Sequence, residues 1–80
     1  MHELGILRHV VGIVEQVAEN NMIKSIKNIT LEIGADSGIV QPYMEKLFPL
    51  VAEAFPGLAE AELIIRTVAG NNLIIKEIRY

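Results

Sequence analysis

The residues best placed to do chemistry open the chain, as Met1-His2-Glu3-Leu4. A histidine at position 2 stands beside an α-amine and backbone amides. The Met1 amine and the His2 amide nitrogen can close a five-membered chelate ring on a metal ion. The same amide and the imidazole Nδ1 can close a six-membered ring. Deprotonated amides are strong-field donors, and a tetragonal set of nitrogens suits Ni(II) or Cu(II). The positive end of a following helix dipole opposes a cation, but each amide proton lost removes a positive charge. Binding of this kind releases protons and depends on pH. Most second-position histidines are solvated side chains that bind nothing, and that reading stands beside the metal one.

The only other histidine is His9. On a helix it lies two turns from His2, or about 11 Å, too far for both to hold one metal without local unwinding. It reads as a solvated or partly buried helix residue. Ser25 and Ser37 have no spaced histidine and acid partners for a nucleophile triad. Glu60 and Glu62 lie two apart, which puts both on one solvated face of a strand rather than in a cleft. Gly34 to Gly38 has no following Lys-Ser or Lys-Thr, so it is not a phosphate loop. The chain is expected not to be an enzyme.

Composition narrows the rest. Eighty residues make one domain, 1–80, with a core of limited size. The net charge is −3, which disfavours nucleic acid as a partner. No apolar run reaches the ~18 residues of a membrane span, and no secretory leader is visible. The expectation is a soluble cytoplasmic domain. Cysteine is absent, which excludes disulfides, thiolate zinc sites and thiol nucleophiles. The hydrophobic share is 51%, yet a domain of this length shields only about 60% of its chain surface. Aliphatic side chains left outside favour association, so a homodimer is expected.

The elements that must position these residues follow from periodicity. Residues 4–20 predict a helix, with Leu4, Leu7, Val11, Val14 and Ala18 on one stripe, widened by Val10, Ile13 and Val17. Asn20-Asn21 is the expected cap, since asparagine tolerates the left-handed conformation. Residues 26–34 predict a strand in which Ile29, Leu31 and Ile33 alternate with Asn28, Thr30 and Glu32. Residues 40–55 predict a second helix, with a kink or an early end at Pro49. Residues 61–68 and 73–80 predict two strands joined by Ala69-Gly70-Asn71-Asn72 as a tight hairpin. The unbroken Leu73-Ile74-Ile75 run places the last strand at the centre of its sheet. The fold class is therefore α/β in the α+β sense. Two helices cover one face of a three-stranded, mainly antiparallel sheet, in the order α-β-α-β-β.

Met1-His2-Glu3-Leu4, Leu31-Glu32-Ile33-Gly34 with Ser37-Gly38-Ile39-Val40, Ala61-Glu62-Leu63, and Ile75-Lys76-Glu77-Ile78 are the segments by which the chain resembles the HypA/HybF hydrogenase and urease nickel-incorporation proteins, which are nickel metallochaperones. These segments are collinear over nearly all of the chain. The resemblance implies Ni(II) as the metal and His2 as its main ligand, through imidazole and backbone nitrogen. It implies the backbone nitrogen of Glu3 as a second donor, with the Met1 amine filling an open position. The Glu3 side chain is then expected to cap the first helix. The implied partners are a nickel-inserting maturation GTPase and, through it, a hydrogenase large subunit. The family carries a four-cysteine zinc ribbon between its last two strands. Here Ala69-Gly70-Asn71-Asn72 takes that place, so no zinc is expected. A tight loop there also opens a route to dimers, by exchange of the strand Leu73 to Tyr80. The alternative reading of the same fold is a zinc-less dimerisation or regulatory interaction module that binds no metal.

Overall fold

The structure is a computed structural model and describes residues 3–80. Helix α1 (Glu3–Asn20) is followed by strand β1 (Asn28–Gly34) and helix α2 (Gln41–Ala52). A 3₁₀ turn (Pro56–Leu58) leads into β2 (Glu62–Val68) and β3 (Leu73–Arg79). Both helices lie on one face of the sheet, and the element order is the one that periodicity predicts.

Burial explains why these segments take these forms. On α1, Leu7, Val10, Val11 and Val14 are buried, at helical spacing. On α2, Met44, Phe48, Val51 and Ala52 do the same. They close on Ile29, Leu31 and Ile33 of β1, which are fully buried at alternate positions. Deep burial of one such aliphatic side chain contributes about 1.5–3 kcal/mol, so this layered contact is the main source of stability. Helix α2 runs through Pro49 and ends at Ala52, three residues short of the predicted limit. Pro49 is exposed, so the carbonyl that loses its N–H partner can turn to water.

Strand order and direction differ from expectation. The order is β2-β1-β3, so β1 is central and β3 is an edge. The sheet is mixed: β1 pairs parallel with β2 and antiparallel with β3. Residues 69–72 therefore form no hairpin. They bridge the two edge strands across the end of β1, and the hairpin from which strand exchange was argued is not formed. The Leu73-Ile74-Ile75 run does not mark a central strand: Leu73 and Ile75 pack on the core while Ile74 is exposed on the other face. Thr30 opposes Glu77 while Leu31 opposes Ile75, so Lys76 is an extra residue at a β-bulge. The bulge resets the alternation, and Ile75 and Ile78, three apart, both turn towards the core.

The end of α1 also departs from the predicted cap. The Ile23 N–H donates to the Ala18 carbonyl at 2.8 Å, and the Met22 N–H donates to the Glu19 carbonyl at 3.3 Å. This paired pattern closes a helix through one left-handed residue. That residue is Met22, with φ of 57°, and not an asparagine. The Asn21 side chain instead donates to the Val17 carbonyl at 2.8 Å.

Candidate functional site

Four segments converge at the end of the molecule where β1 finishes: the start of α1, the loop 35–40, the start of α2 and the bridge 69–72. Their meeting depends first on Gly34. A Cβ there would collide with the backbone of Gly70 and Asn71. With no side chain present, Gly34 N–H donates to the Asn72 carbonyl at 2.7 Å and Asp36 N–H to the Gly70 carbonyl at 2.8 Å. Ala35 N–H donates to the Val68 carbonyl at 2.8 Å. Gly70 has φ of 102°, a conformation that glycine adopts at little cost. The bridge 69–72 is thus sewn to the loop that follows β1.

Side chains complete the junction. The Glu3 carboxylate accepts a hydrogen bond from the Val40 backbone N–H at 3.0 Å, across 37 residues. Val40 is the residue that caps the N-terminus of α2. The carboxylate therefore sits where two helices begin, and both positive dipole ends favour an anion. The Gln41 side-chain amide donates to the Thr67 hydroxyl at 2.6 Å and so ties α2 to β2. Within the loop, the Ser37 hydroxyl accepts from the Ile39 N–H at 3.2 Å, a local turn device.

Of the three predicted metal residues, Met1 and His2 lie outside the described residues. Glu3 is the first residue of α1 and is half-buried. Its side chain joins α1 to the second helix as well as lying in the first turn of its own. His9 is exposed on α1. Among the described residues, no three His, Cys, Asp or Glu side chains cluster in a way that could hold a metal. Reasoning from sequence missed the role of the Val40 amide and the contact of Gly34 with the bridge. The only signal for either in the sequence is Gly34 and the segment Ser37-Gly38-Ile39-Val40, whose residue types do not say what they touch.

No helix among the described residues is long and apolar enough to cross a membrane. Comparison with known proteins agrees with the geometry. The family described as "Hydrogenase/urease nickel incorporation, metallochaperone, hypA" matches residues 1–77. A hydrogenase maturation factor HypA from Picosynechococcus sp. is 41% identical over 69 residues, covering 85% of this chain. The chain spans 59% of that relative's length. The solution structure of the Ni metallochaperone HypA from Helicobacter pylori superposes with a TM-score of 0.79 at 18% identity, over 96% of this chain and 72% of that one. A second solution structure of a HypA protein gives a TM-score of 0.73 at 18% identity, over 96% and 71%. These two share the fold. With a family match over almost its whole length and a fold to agree with it, the chain belongs to the HypA family of hydrogenase/urease nickel-incorporation metallochaperones.

Proposed function

We propose that this domain is a non-enzymatic nickel carrier that binds one Ni(II) at its N-terminus for delivery to a maturing nickel enzyme. His2 supplies the imidazole and a backbone nitrogen. Glu3 supplies a backbone nitrogen, and the Met1 amine takes a remaining position. The observation that carries the reading is the Glu3–Val40 hydrogen bond in a chain of this family. It gives the Glu3 carboxylate a structural task, which leaves the backbone as that residue's route to the metal. It also fixes the first turn of α1 against the α2 cap, so the residue that follows His2 has a defined position.

The chemistry suits a carrier. A site made from one imidazole and backbone nitrogens at the surface is not caged, so an acceptor's ligands can replace it stepwise. The recipients in this proposal are a nickel-inserting maturation GTPase and then a hydrogenase large subunit, in the cytoplasm. Structural zinc has no part, since the chain has no thiolate ligand to offer.

Nickel titration followed by calorimetry and by the d–d absorption bands tests this. Parent protein should bind one Ni(II) with square-planar, nitrogen-rich spectra and release protons as it does so. His2→Ala should lose tight binding, and acetylation of the terminus should weaken it or change its spectrum. His9→Ala should bind as the parent does. Undiminished binding by His2→Ala would end the proposal and leave the interaction-module reading in its place.

A further inference from the structure

The two edges of the sheet are unlike in a way that nickel carriage does not use. Edge β3 carries the bulge at Lys76, and bulges and lysines are devices that stop an edge from recruiting another strand. Edge β2 has neither. It runs Glu62-Leu63-Ile64-Ile65-Arg66-Thr67-Val68 in unbroken register with β1, with no proline, glycine or lysine. A regular, aliphatic free edge of this kind is a template for another strand.

The orientation of the free edge follows from the ladder. Glu62 N–H donates to the Lys27 carbonyl at 3.0 Å, and the Val68 carbonyl accepts from Ala35 N–H at 2.8 Å. In a parallel pair both backbone groups of a residue point the same way, and the direction alternates. Glu62, Ile64, Arg66 and Val68 therefore address β1, while Leu63, Ile65 and Thr67 present N–H and C=O to the open side. The side chains alternate as well. Leu63 and Ile65 pack against the core, and Glu62, Ile64 and Arg66 lie exposed on the face away from the helices.

We propose that β2 is a homotypic docking edge, at which two copies of this chain pair their β2 strands antiparallel about a two-fold axis at Ile64, forming one six-stranded sheet. Charge selects this register. With Ile64 opposite Ile64 of the second copy, Leu63 faces Ile65 and exchanges both backbone hydrogen bonds, and the symmetric pair does the same. Glu62 then stands opposite Arg66 of the second copy at both ends. These are non-hydrogen-bonded positions, where side chains come closest. Among the described residues neither Glu62 nor Arg66 has an ion-pair partner within its own chain, where the pair formed is Arg79–Glu77. A shift by two residues opposes Glu62 or Arg66 to Ile64, and a shift by four sets Arg66 against Arg66 or Glu62 against Glu62. Like charges directly opposite are destabilising. The contact is isologous and closes on two copies, so it ends at a dimer rather than a fibre.

Sedimentation equilibrium from low micromolar to millimolar concentration tests the proposal, with circular dichroism to check that each variant folds. The parent should pass from 8.9 kDa to twice that mass as concentration rises. Glu62→Arg or Arg66→Glu alone should raise the dissociation constant about tenfold or more, and the double exchange Glu62→Arg/Arg66→Glu should restore it. Leu63→Pro removes an N–H that addresses only the open edge, so it should abolish association while the monomer stays folded. Lys76→Glu on the other edge should change nothing. The proposal is overturned by a species of 8.9 kDa throughout, or by a dimer that responds to Lys76→Glu and not to Glu62→Arg.

Discussion

The two ends of α1 solve the same problem in opposite ways. Its first turn is held by a side chain that reaches across 37 residues to the Val40 amide. Its last turn is closed within six residues by its own backbone, at the cost of a methionine with φ of 57°. The first end lies among segments tied by Gln41 to Thr67 and by the Gly34 contact with the bridge. The second end has local bonds, such as Gln16 to Asn20. In the proposed reading the first end must hold a position for chemistry, and tertiary contacts serve that, because local capping fixes the helix but not its place relative to other elements. An end with no such task can be closed locally, even by a residue poorly suited to it.

Gly34→Val should break the comparison most severely. The new side chain meets backbone of Gly70 and Asn71, which cannot rotate away as a flexible side chain could. Overpacking against main chain should cost at least about 3 kcal/mol, read as a fall in the urea midpoint or as failure to fold. Wild-type stability in this variant would show that the bridge is loosely held and that this end is no more constrained than the other.

How legible this was in the sequence depends on how far each contact reaches. The helices and strands were visible because burial has a local period, as with Leu7, Val11 and Val14 on α1 and Ile29, Leu31 and Ile33 on β1. Strand order was not. A four-residue link of Ala69-Gly70-Asn71-Asn72 has the length of a hairpin loop, and nothing local says that β1 lies between the strands it joins. The bulge signal was the spacing from Ile75 to Ile78, the mark of one extra residue, whereas Leu73-Ile74-Ile75 only alternates with an exposed isoleucine in the middle. Centrality in the ladder left no trace of its own: β1 alternates polar and apolar because no helix covers its second face, although both its edges are paired and Thr30 on that face is buried. At the candidate site the residue types at positions 1–3 could be read. The bond from Glu3 to Val40 could not, because no pattern couples residues so far apart.

Glu3→Ala should have the next largest effect, and it tests whether the first end is coupled to function. The hydrogen bond to Val40 is charge-assisted but near solvent, so its loss should cost about 1 kcal/mol, or roughly 5 °C in Tm for a domain of this size. Nickel binding should weaken with the anchor gone, although the backbone nitrogen of residue 3 remains. Glu3→Gln keeps an oxygen acceptor and should recover part of the stability. If Glu3→Ala lowers Tm and leaves nickel affinity at the parent value, the anchor serves the fold alone.

Met22→Gly should have the smallest effect, and of opposite sign. Met22 is 91% exposed, so its side chain contributes little buried area that the change would remove. A left-handed conformation costs a residue with a Cβ about 1–2 kcal/mol, and glycine adopts it freely. Against that gain stands the greater freedom of glycine in the unfolded chain, about 0.4–1 kcal/mol. The difference leaves the variant more stable by roughly 0.5–1 kcal/mol, because the Ile23 to Ala18 and Met22 to Glu19 bonds that close the helix use backbone atoms and survive. Thermal unfolding should show a rise of a few degrees, and nickel titration should match the parent. A stabilised variant with unchanged metal affinity would separate the two ends cleanly. A change in nickel affinity would mean instead that strain at the far end of α1 reaches the first turn, and that the helix acts as one rigid lever between them.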